Sequence, residues 1–344
     1  MVLRSLTKWL ALFGLAFFIS GCNPEPNAKD AIRLTGSTMG TFYHITLVSE
    51  QPVDPVSLQA KIDQRLELVN DQMSTYRPDS EISQFNRQAS TDPYTVSVET
   101  AAVFQEALRL GALTHGALDV TVGPLVNLWG FGPQARPEEI PTDKEIAQAK
   151  SLTGFQRLHV VSDTQVQKEL PNLYVDLSSI AKGHGVDAVA ELLEVEGINN
   201  YLVEIGGELR TRGVNAHGMP WRIAVEKPDT QERAVQRIIQ PGAHAVATSG
   251  DYRNYFEDNG VRYSHTIDPQ TGAPINHRLV SVTVVAESCM TADGLATALM
   301  VMGPEESRDF AELHKLPVLM IVKTDEGFME YTSPQFEQYL ASQG

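Results

Sequence analysis

The sequence predicts an α+β protein: a largely antiparallel or mixed sheet with flanking helices, folded as two lobes of one compact unit. Three observations carry this reading. Strand-like and helix-like segments are interleaved along the 344 residues. Several consecutive strands are joined by short hairpin turns, which require antiparallel pairing rather than the long crossovers of a doubly wound sheet. No repeat, low-complexity block or linker divides residues 31–344, so the lobes belong to one domain.

The elements follow in order. Arg33 to Val48 has the β-branched content and alternation of strands, interrupted at Ser37-Thr38-Met39-Gly40. Leu58, Ile62, Leu66, Val69 and Met73 recur at helical spacing and predict a helix over Val56–Met73. Val98–Leu113 reads as a second helix with Ser97 as N-cap, and Thr142 with Glu145 forms a capping box that begins a third. Phe155–Leu170 reads as a hairpin, and Leu173–Asp176 as a strand entering a helix from about Ile180 to Val195. Strands are expected at Tyr201–Val214, Trp221–Glu226, Ala234–Ile239 and Leu279–Ala286. Helices at Thr291–Met302 and Pro304–His314 and a last strand at Pro317–Val322 complete the chain.

The N-terminus reads as an export signal. Arg4 and Lys8 precede an apolar run from Trp9 to Ile19, too short to cross a bilayer as a helix. It ends at Ile19-Ser20-Gly21-Cys22, a pattern that resembles the bacterial lipobox, so residues 1–21 are expected to be removed and Cys22 lipidated. Residues 22–30 are then a flexible tether holding the protein to a membrane, facing the periplasm or the outside of the cytoplasmic membrane. Loss of two cations takes the formal charge from −16 to −18, which argues against nucleic-acid binding through phosphates. Cys289 is the remaining cysteine of the mature chain, so no intramolecular disulfide is expected, and it reads as a small buried hydrophobe in an apolar strand end.

No Walker A loop, GxGxxG, HExxH or CxxC motif is present. The densest chemistry lies between Ala247 and Pro274, around a hairpin signal at Asp258-Asn259-Gly260. Thr248, Ser249, Arg253, Asn254, Ser264, His265, Thr266 and Asp268 stand there beside Tyr252, Tyr255, Phe256 and Tyr263. Such a mixture suits a site that stacks a flat ring and holds charged oxygens, and equally an exposed polar hairpin. Asp293 and Thr297 are four residues apart and share one helix face, a plausible hard-cation site. Helix capping by Thr291 or Asp293 is the plainer alternative, but it gives Thr297 no role. Asp176-Leu-Ser-Ser-Ile-Ala-Lys182-Gly places backbone amides and a lysine where a phosphate could sit, or simply caps a helix. Gly36-Ser-Thr-Met39-Gly-Thr, Met73-Ser-Thr-Tyr76 and Gly116-Ala-Leu-Asp119-Val-Thr-Val-Gly-Pro are loops that singly read as turns.

Together, GSTMGT, MSTY, GALDVTVGPLVNLWGFG, DLSSIAKG, YLVEIGGELRTRG, ATSGDYRNYF, SHTIDPQTG and ADGLATALMVMG resemble the ApbE family of FAD:protein FMN transferases, in family order and over nearly all of the mature chain. The resemblance implies FAD as substrate, Mg²⁺ as cofactor, and attachment of FMN to a threonine of an acceptor protein with release of AMP. It implies metal ligands at Asp293, Thr297 and the Ser179 carbonyl. It implies FAD contacts at Met39, Tyr76, Ala117, Leu118, Asp119, Asp176, Lys182 and Ile267. Some members carry a carboxylate where this chain has Ala296, one acid fewer at the metal. The acceptors it implies are flavoprotein subunits of membrane redox complexes. His265 is the expected general base, because an imidazole titrates near the working pH. A Mg²⁺-dependent FAD pyrophosphatase and a non-catalytic FAD-binding lipoprotein are the competing expectations.

Overall fold

The computed structural model describes residues 30–133, 139–226, 235–250, 255–258 and 261–341. The expected export signal, Cys22 and nearly all of the tether lie outside the described residues. So do Tyr252, Arg253, Asn254, Asn259 and Gly260 of the polar hairpin.

The N-terminal half contributes β1 (Ile32–Thr38), β2 (Thr41–Val48), α1 (Pro55–Met73), α2 (Glu81–Arg87), β3 (Tyr94–Thr95), α3 (Val98–Leu113), α4 (Gly123–Leu128), α5 (Asp143–Lys150), β4 (Leu158–Ser162) and β5 (Gln165–Lys168). After them come α6 (Ala181–Val195), β6 (Asn200–Ile205), β7 (Glu208–Arg212), β8 (Ile223–Glu226), β9 (Val235–Ile239) and β10 (Ala245–Gly250). The remaining elements are β11 (Tyr255–Asp258), β12 (Val261–Ser264), β13 (Leu279–Ala286), α7 (Cys289–Met302), α8 (Pro304–His314), β14 (Val318–Thr324) and β15 (Gly327–Thr332). Eight strands form one sheet in the order β1-β2-β6-β7-β10-β13-β14-β15. Every neighbouring pair in it is antiparallel.

Burial along the strands follows their place in the sheet. In β2, Tyr43, Ile45 and Leu47 are buried while Phe42 and His44 are exposed, so one face of the sheet meets α1 and α6 and the other meets water. The central β13 is buried along nearly its whole length. Val282 and Val284 pack in the core shared with α3 and α7. Val280 and Val285 pack with Val225, Ile239 and Phe336 on the opposite face. That double coverage is why even the hydroxyl residues Ser281 and Thr283 of this strand are buried.

Several expectations need correction. Leu173–Asp176 is not a strand. The amide of the Asn86 side chain stands in for a neighbouring strand there, donating to the Val175 carbonyl at 2.8 Å and accepting from the Val175 N–H at 2.8 Å. Tyr201–Val214 is not one strand but a hairpin, β6–β7, turning at Gly206 and Gly207, whose φ of 63° and 111° only glycine adopts readily. The polar stretch from Ala247 is likewise divided. β10 joins the main sheet, and β11 and β12 pair with each other as a separate ribbon. β14 is not the last strand, since β15 extends the edge beyond it. Cys289 is buried as expected, but it opens α7 and does not end a strand. Thr291 and Asp293 do not occupy the N-cap; Ser288 does, its hydroxyl accepting from the Thr291 N–H at 3.1 Å.

The helices α6 and α7 cap each other. No side chain of its own loop caps α6. Instead Asp293 of α7 reaches across to accept the Gly183 N–H in its first turn at 2.9 Å. In return Asp187 of α6 accepts the N–H groups of Cys289 and Met290 at 3.0 and 2.9 Å. Arg210 of β7 donates to the same carboxylate at 2.9 Å. The helices approach so closely that a Cβ at Gly183 would overlap the Cys289 carbonyl and lie 2.8 Å from the Met290 Cα. Asp187→Ala strips two orphan donors of their acceptor and leaves Arg210 without its closest partner. It is expected to cost about 2–4 kcal/mol, measured by urea unfolding, with Asp187→Asn costing less.

Candidate active site

The crossing of α6 and α7 forms the floor of a cleft of about 880 Å³, near the upper end of the range of about 300–1,000 Å³ for small-molecule sites. Its walls come from the loop before α4, the loop before α6, the β6–β7 turn, the end of β10 and the segment after β12. Tyr76, Ala117, Leu118, Asp119, Asp176, Ser179, Lys182, His265, Ile267, Asp293 and Thr297 all line it. Residues up to 221 positions apart in sequence, from Tyr76 to Thr297, therefore meet in one cavity. Met39 is the candidate left outside. It occupies the β1–β2 turn with φ 49°, packs its side chain towards Gly185 of α6, and lines a smaller adjoining groove of about 370 Å³.

Local hydrogen bonds shape the loops. Asp119 Oδ1 accepts from the Thr121 N–H at 2.7 Å and its hydroxyl at 2.6 Å, and Oδ2 accepts from the Phe155 N–H at 3.1 Å. Burial raises the pKa of Asp119 against the pull of these bonds. Asp176 Oδ1 accepts from the Ser178 N–H at 2.9 Å and the Ser178 hydroxyl at 2.5 Å, which fixes the turn that presents Ser179 and enters α6. Tyr76 reaches over the cleft mouth, its hydroxyl donating to the Phe131 carbonyl at 3.4 Å. Burial, then the Asp176 carboxylate, push its phenol pKa up.

At the floor, Lys182 lies between two buried carboxylates. Its Nζ is 2.6 Å from Glu208 Oε1 and 3.7 Å from Asp293 Oδ1. Burial opposes the lysine charge but is outweighed by Asp293 and Glu208, which hold its pKa above the usual lysine range. Burial raises Asp293 and pushes Glu208 up to about 7. Glu208 is the functional candidate that the sequence reading missed. Its signal was the Gly206-Gly207 pair before it, a two-residue hairpin turn that aims the first side chain of β7 into the cleft.

Two carboxylates share one ammonium here, and Glu208 Oε2 is buried without a hydrogen-bond partner. Asp293 Oδ2 is committed to Gly183, while Oδ1 meets Lys182 only at 3.7 Å. The donor set is therefore oxygen-only, with carboxylate capacity unspent, which fits a hard divalent cation such as Mg²⁺. Among the described residues no group of three His, Cys, Asp or Glu forms a metal cluster. Ala296 is buried in the core, and it is Glu208, from another element, that brings a second carboxylate near Asp293.

The polar hairpin divides its labour. Thr248, Ser249, His265 and Thr266 line the cleft. Ser264 is buried and accepts the Thr266 N–H at 3.2 Å, and Asp268 accepts the Gln270 N–H at 2.7 Å in a turn. Phe256 and Tyr263 stack with each other, and Tyr255 is exposed on the ribbon.

An antiparallel α+β frame thus carries an oxygen-rich, lysine-bearing cleft at a helix N-terminus. The chain belongs to the ApbE family, whose model matches residues 39–320. It is 56% identical over 337 residues to the FAD:protein FMN transferase of Vibrio cholerae, covering 98% of this chain and all of that one. The Escherichia coli K12 FAD:protein FMN transferase is 44% identical over 342 residues, with 97% of each chain covered. The solved flavin transferase ApbE from Vibrio cholerae superposes with a TM-score of 0.85 at 58% identity, over 90% of this chain and 99% of that one. The ApbE protein of Thermotoga maritima keeps a TM-score of 0.81 at 29% identity, over 91% of this chain and all of that one.

The Glu208 shift has a consequence for stability. Its carboxyl binds a proton more tightly in the folded chain than in the unfolded one. The stabilisation is therefore full below the unfolded value of about 4.5 and is lost as pH rises through about 7. In metal-free buffer the unfolding free energy is expected to fall between about pH 5 and about pH 7.5. Glu208→Gln, measured by urea unfolding across the same range, should flatten that slope.

Proposed function

We propose that this chain transfers FMN from FAD to a threonine of an acceptor flavoprotein through a phosphoester bond and releases AMP, with Mg²⁺ as its cofactor. The observation that carries the reading is a single cleft uniting the α6 N-terminus, Lys182, the Asp293–Thr297 face of α7 and His265. The names of the relatives support it. The proposed acceptors are flavoprotein subunits of membrane redox complexes. The proposed setting is outside the cytoplasm, with the protein held to the membrane through lipidated Cys22.

Each residue then has a task. The turn fixed by Asp176 and Ser178 aims the amides at the start of α6 towards a phosphate, and Lys182 adds a cation. Asp293, Thr297 and the Ser179 carbonyl would hold the metal, with Glu208 the nearby second carboxylate. When bound, the metal would neutralise pyrophosphate charge and stabilise the leaving AMP. Tyr76, Ala117, Leu118 and Ile267 offer aromatic and apolar surface to a ring system. His265 accepts the proton of the acceptor threonine as that oxygen bonds to the FMN phosphorus. The bond from that phosphorus to the AMP oxygen breaks, and AMP leaves with the electron pair. Mere storage of FAD would need neither a base nor a carboxylate pair beside the phosphates.

His265→Ala is expected to lower transfer by ~10²–10⁴ while FAD affinity, read by flavin fluorescence, stays within about threefold. Mass spectrometry of the acceptor should show one FMN-sized increment on a threonine with the wild type. AMP release without acceptor modification, across a panel of candidate acceptors, would establish the pyrophosphatase instead.

Asp293→Ala should abolish metal-dependent turnover and weaken α6 by removing the acceptor of the Gly183 N–H. Near-normal turnover at limiting Mg²⁺ would place the metal elsewhere.

A further inference from the structure

We infer that Phe131 is a positioning residue for His265, and that a ladder of stacked aromatics running from α4 to the β11–β12 ribbon sets where the imidazole stands. The inference rests on the reading of His265 as the base. Among the described residues, β11 and β12 pair with each other and with no strand of the main sheet. Among the described residues no strand ladder joins the ribbon to the frame that carries Lys182 and Asp293, and the backbone tie just beyond His265 is the Ile275 N–H donating to the Thr266 carbonyl at 3.0 Å. His265 follows directly on β12, so its position depends on what holds the ribbon down.

A ladder of aromatic rings packs the ribbon against the end of α4. Trp129, at the end of α4, stacks on Tyr263 of β12 at a centroid distance of 5.6 Å and an interplanar angle of 28°. Tyr263 stacks on Phe256 of β11 at 5.0 Å and 24°. Phe256 stacks on Phe131 at 5.3 Å and 27°. Phe131 ends the ladder against His265, 6.4 Å away and tilted by 68°. The two ribbon rings are held between two rings from the α4 side in one near-parallel stack, so neither side can slide without unstacking several of them. Trp129 is pinned in turn, its indole N–H donating to the Gly272 carbonyl at 2.9 Å. That bond ties the ladder's far end to the chain just beyond His265.

The cleft makes the idea separable from flavin contact. Phe131 lines it, whereas Phe256, Tyr263 and Trp129 do not. A ladder variant at Phe256 thus alters the support of His265 without removing a cleft-lining side chain.

The test uses Phe131→Leu and Phe256→Leu in the wild-type and His265→Ala backgrounds, with melting temperature, FAD dissociation constant and AMP release rate measured for each. Both variants are expected to lower kcat by on the order of 10–10²-fold, as displacement of a reacting group by about an ångström does. The FAD dissociation constant of Phe256→Leu should stay within about threefold of wild type. In the His265→Ala background neither variant should lower the residual rate further, since their effect runs through the missing imidazole. Phe131→Tyr, which keeps the ring, should restore most of the rate. Equal fractional losses in both backgrounds, or losses explained by weaker FAD binding, would overturn the inference. If Phe131→Leu does not fold, Phe256→Leu supplies the same comparison. A folded wild type that binds FAD but, with Mg²⁺ and the panel of candidate acceptors present, releases no AMP would overturn the proposed transfer itself, an outcome distinct from a wild type that turns over with unaffected variants.

Discussion

Mutual capping of α6 and α7 is the constraint on which the rest of the molecule depends. Each helix leaves backbone donors unsatisfied at its N-terminus, and each takes a buried carboxylate from the other: Asp293 for α6 and Asp187 for α7. Gly183 lets the backbones touch at the crossing. Because the caps are reciprocal, neither helix can rotate or shift by a residue without stranding the other's amides in a dry interface. The sheet, built from eight antiparallel strands, is the platform for this crossing, with Arg210 of β7 holding Asp187 from below.

The same geometry sets the electrostatics of the cleft. Asp293 is spent on one oxygen by its capping duty and presents the other beside Lys182. The β6–β7 turn adds Glu208, and burial, against the pull of Lys182 and with Asp293 beside it, raises its carboxyl to about 7. A protein with no ligand to accommodate gains little from such an arrangement, since an unpartnered buried carboxylate oxygen costs about 1–3 kcal/mol. In the proposed reading, as the floor of a site for a hard cation and a pyrophosphate, the arrangement is in place before the ligand arrives. In the proposed mechanism Asp293 combines a structural and a chemical role, so removing it tests the fold and the reaction together.

The sequence showed the frame more readily than its joints. α1, α3 and the capping box of α5 were legible because apolar spacing and caps are local signals, and the structure places Ser97 and Thr142 as N-caps. The long motifs pointed to a family, and nearly all of the residues they implied converge on one cleft. Long-range pairings were not legible. Nothing near Leu173 announces that Asn86 will stand in for a strand, and nothing near Asp293 announces that its partner is Gly183, 110 residues away. Glu208 was hidden because a lone glutamate after two glycines reads as a turn edge. β15 escaped because an edge strand with Phe328 and Met329 exposed has no buried face to imprint an alternation. The aromatic ladder needs four rings from two distant segments and has no local period at all.

The claim that the α6–α7 crossing is a metal-dependent phosphoryl site is tested most directly by locating the metal. Crystals grown with Mn²⁺ in place of Mg²⁺ and with AMP would give an anomalous peak at the cation. The expected peak lies at the cleft floor, within bonding distance of the Asp293 carboxylate, the Thr297 hydroxyl and the Ser179 carbonyl. A peak at another cluster of oxygens, with this floor showing none, would contradict the assignment.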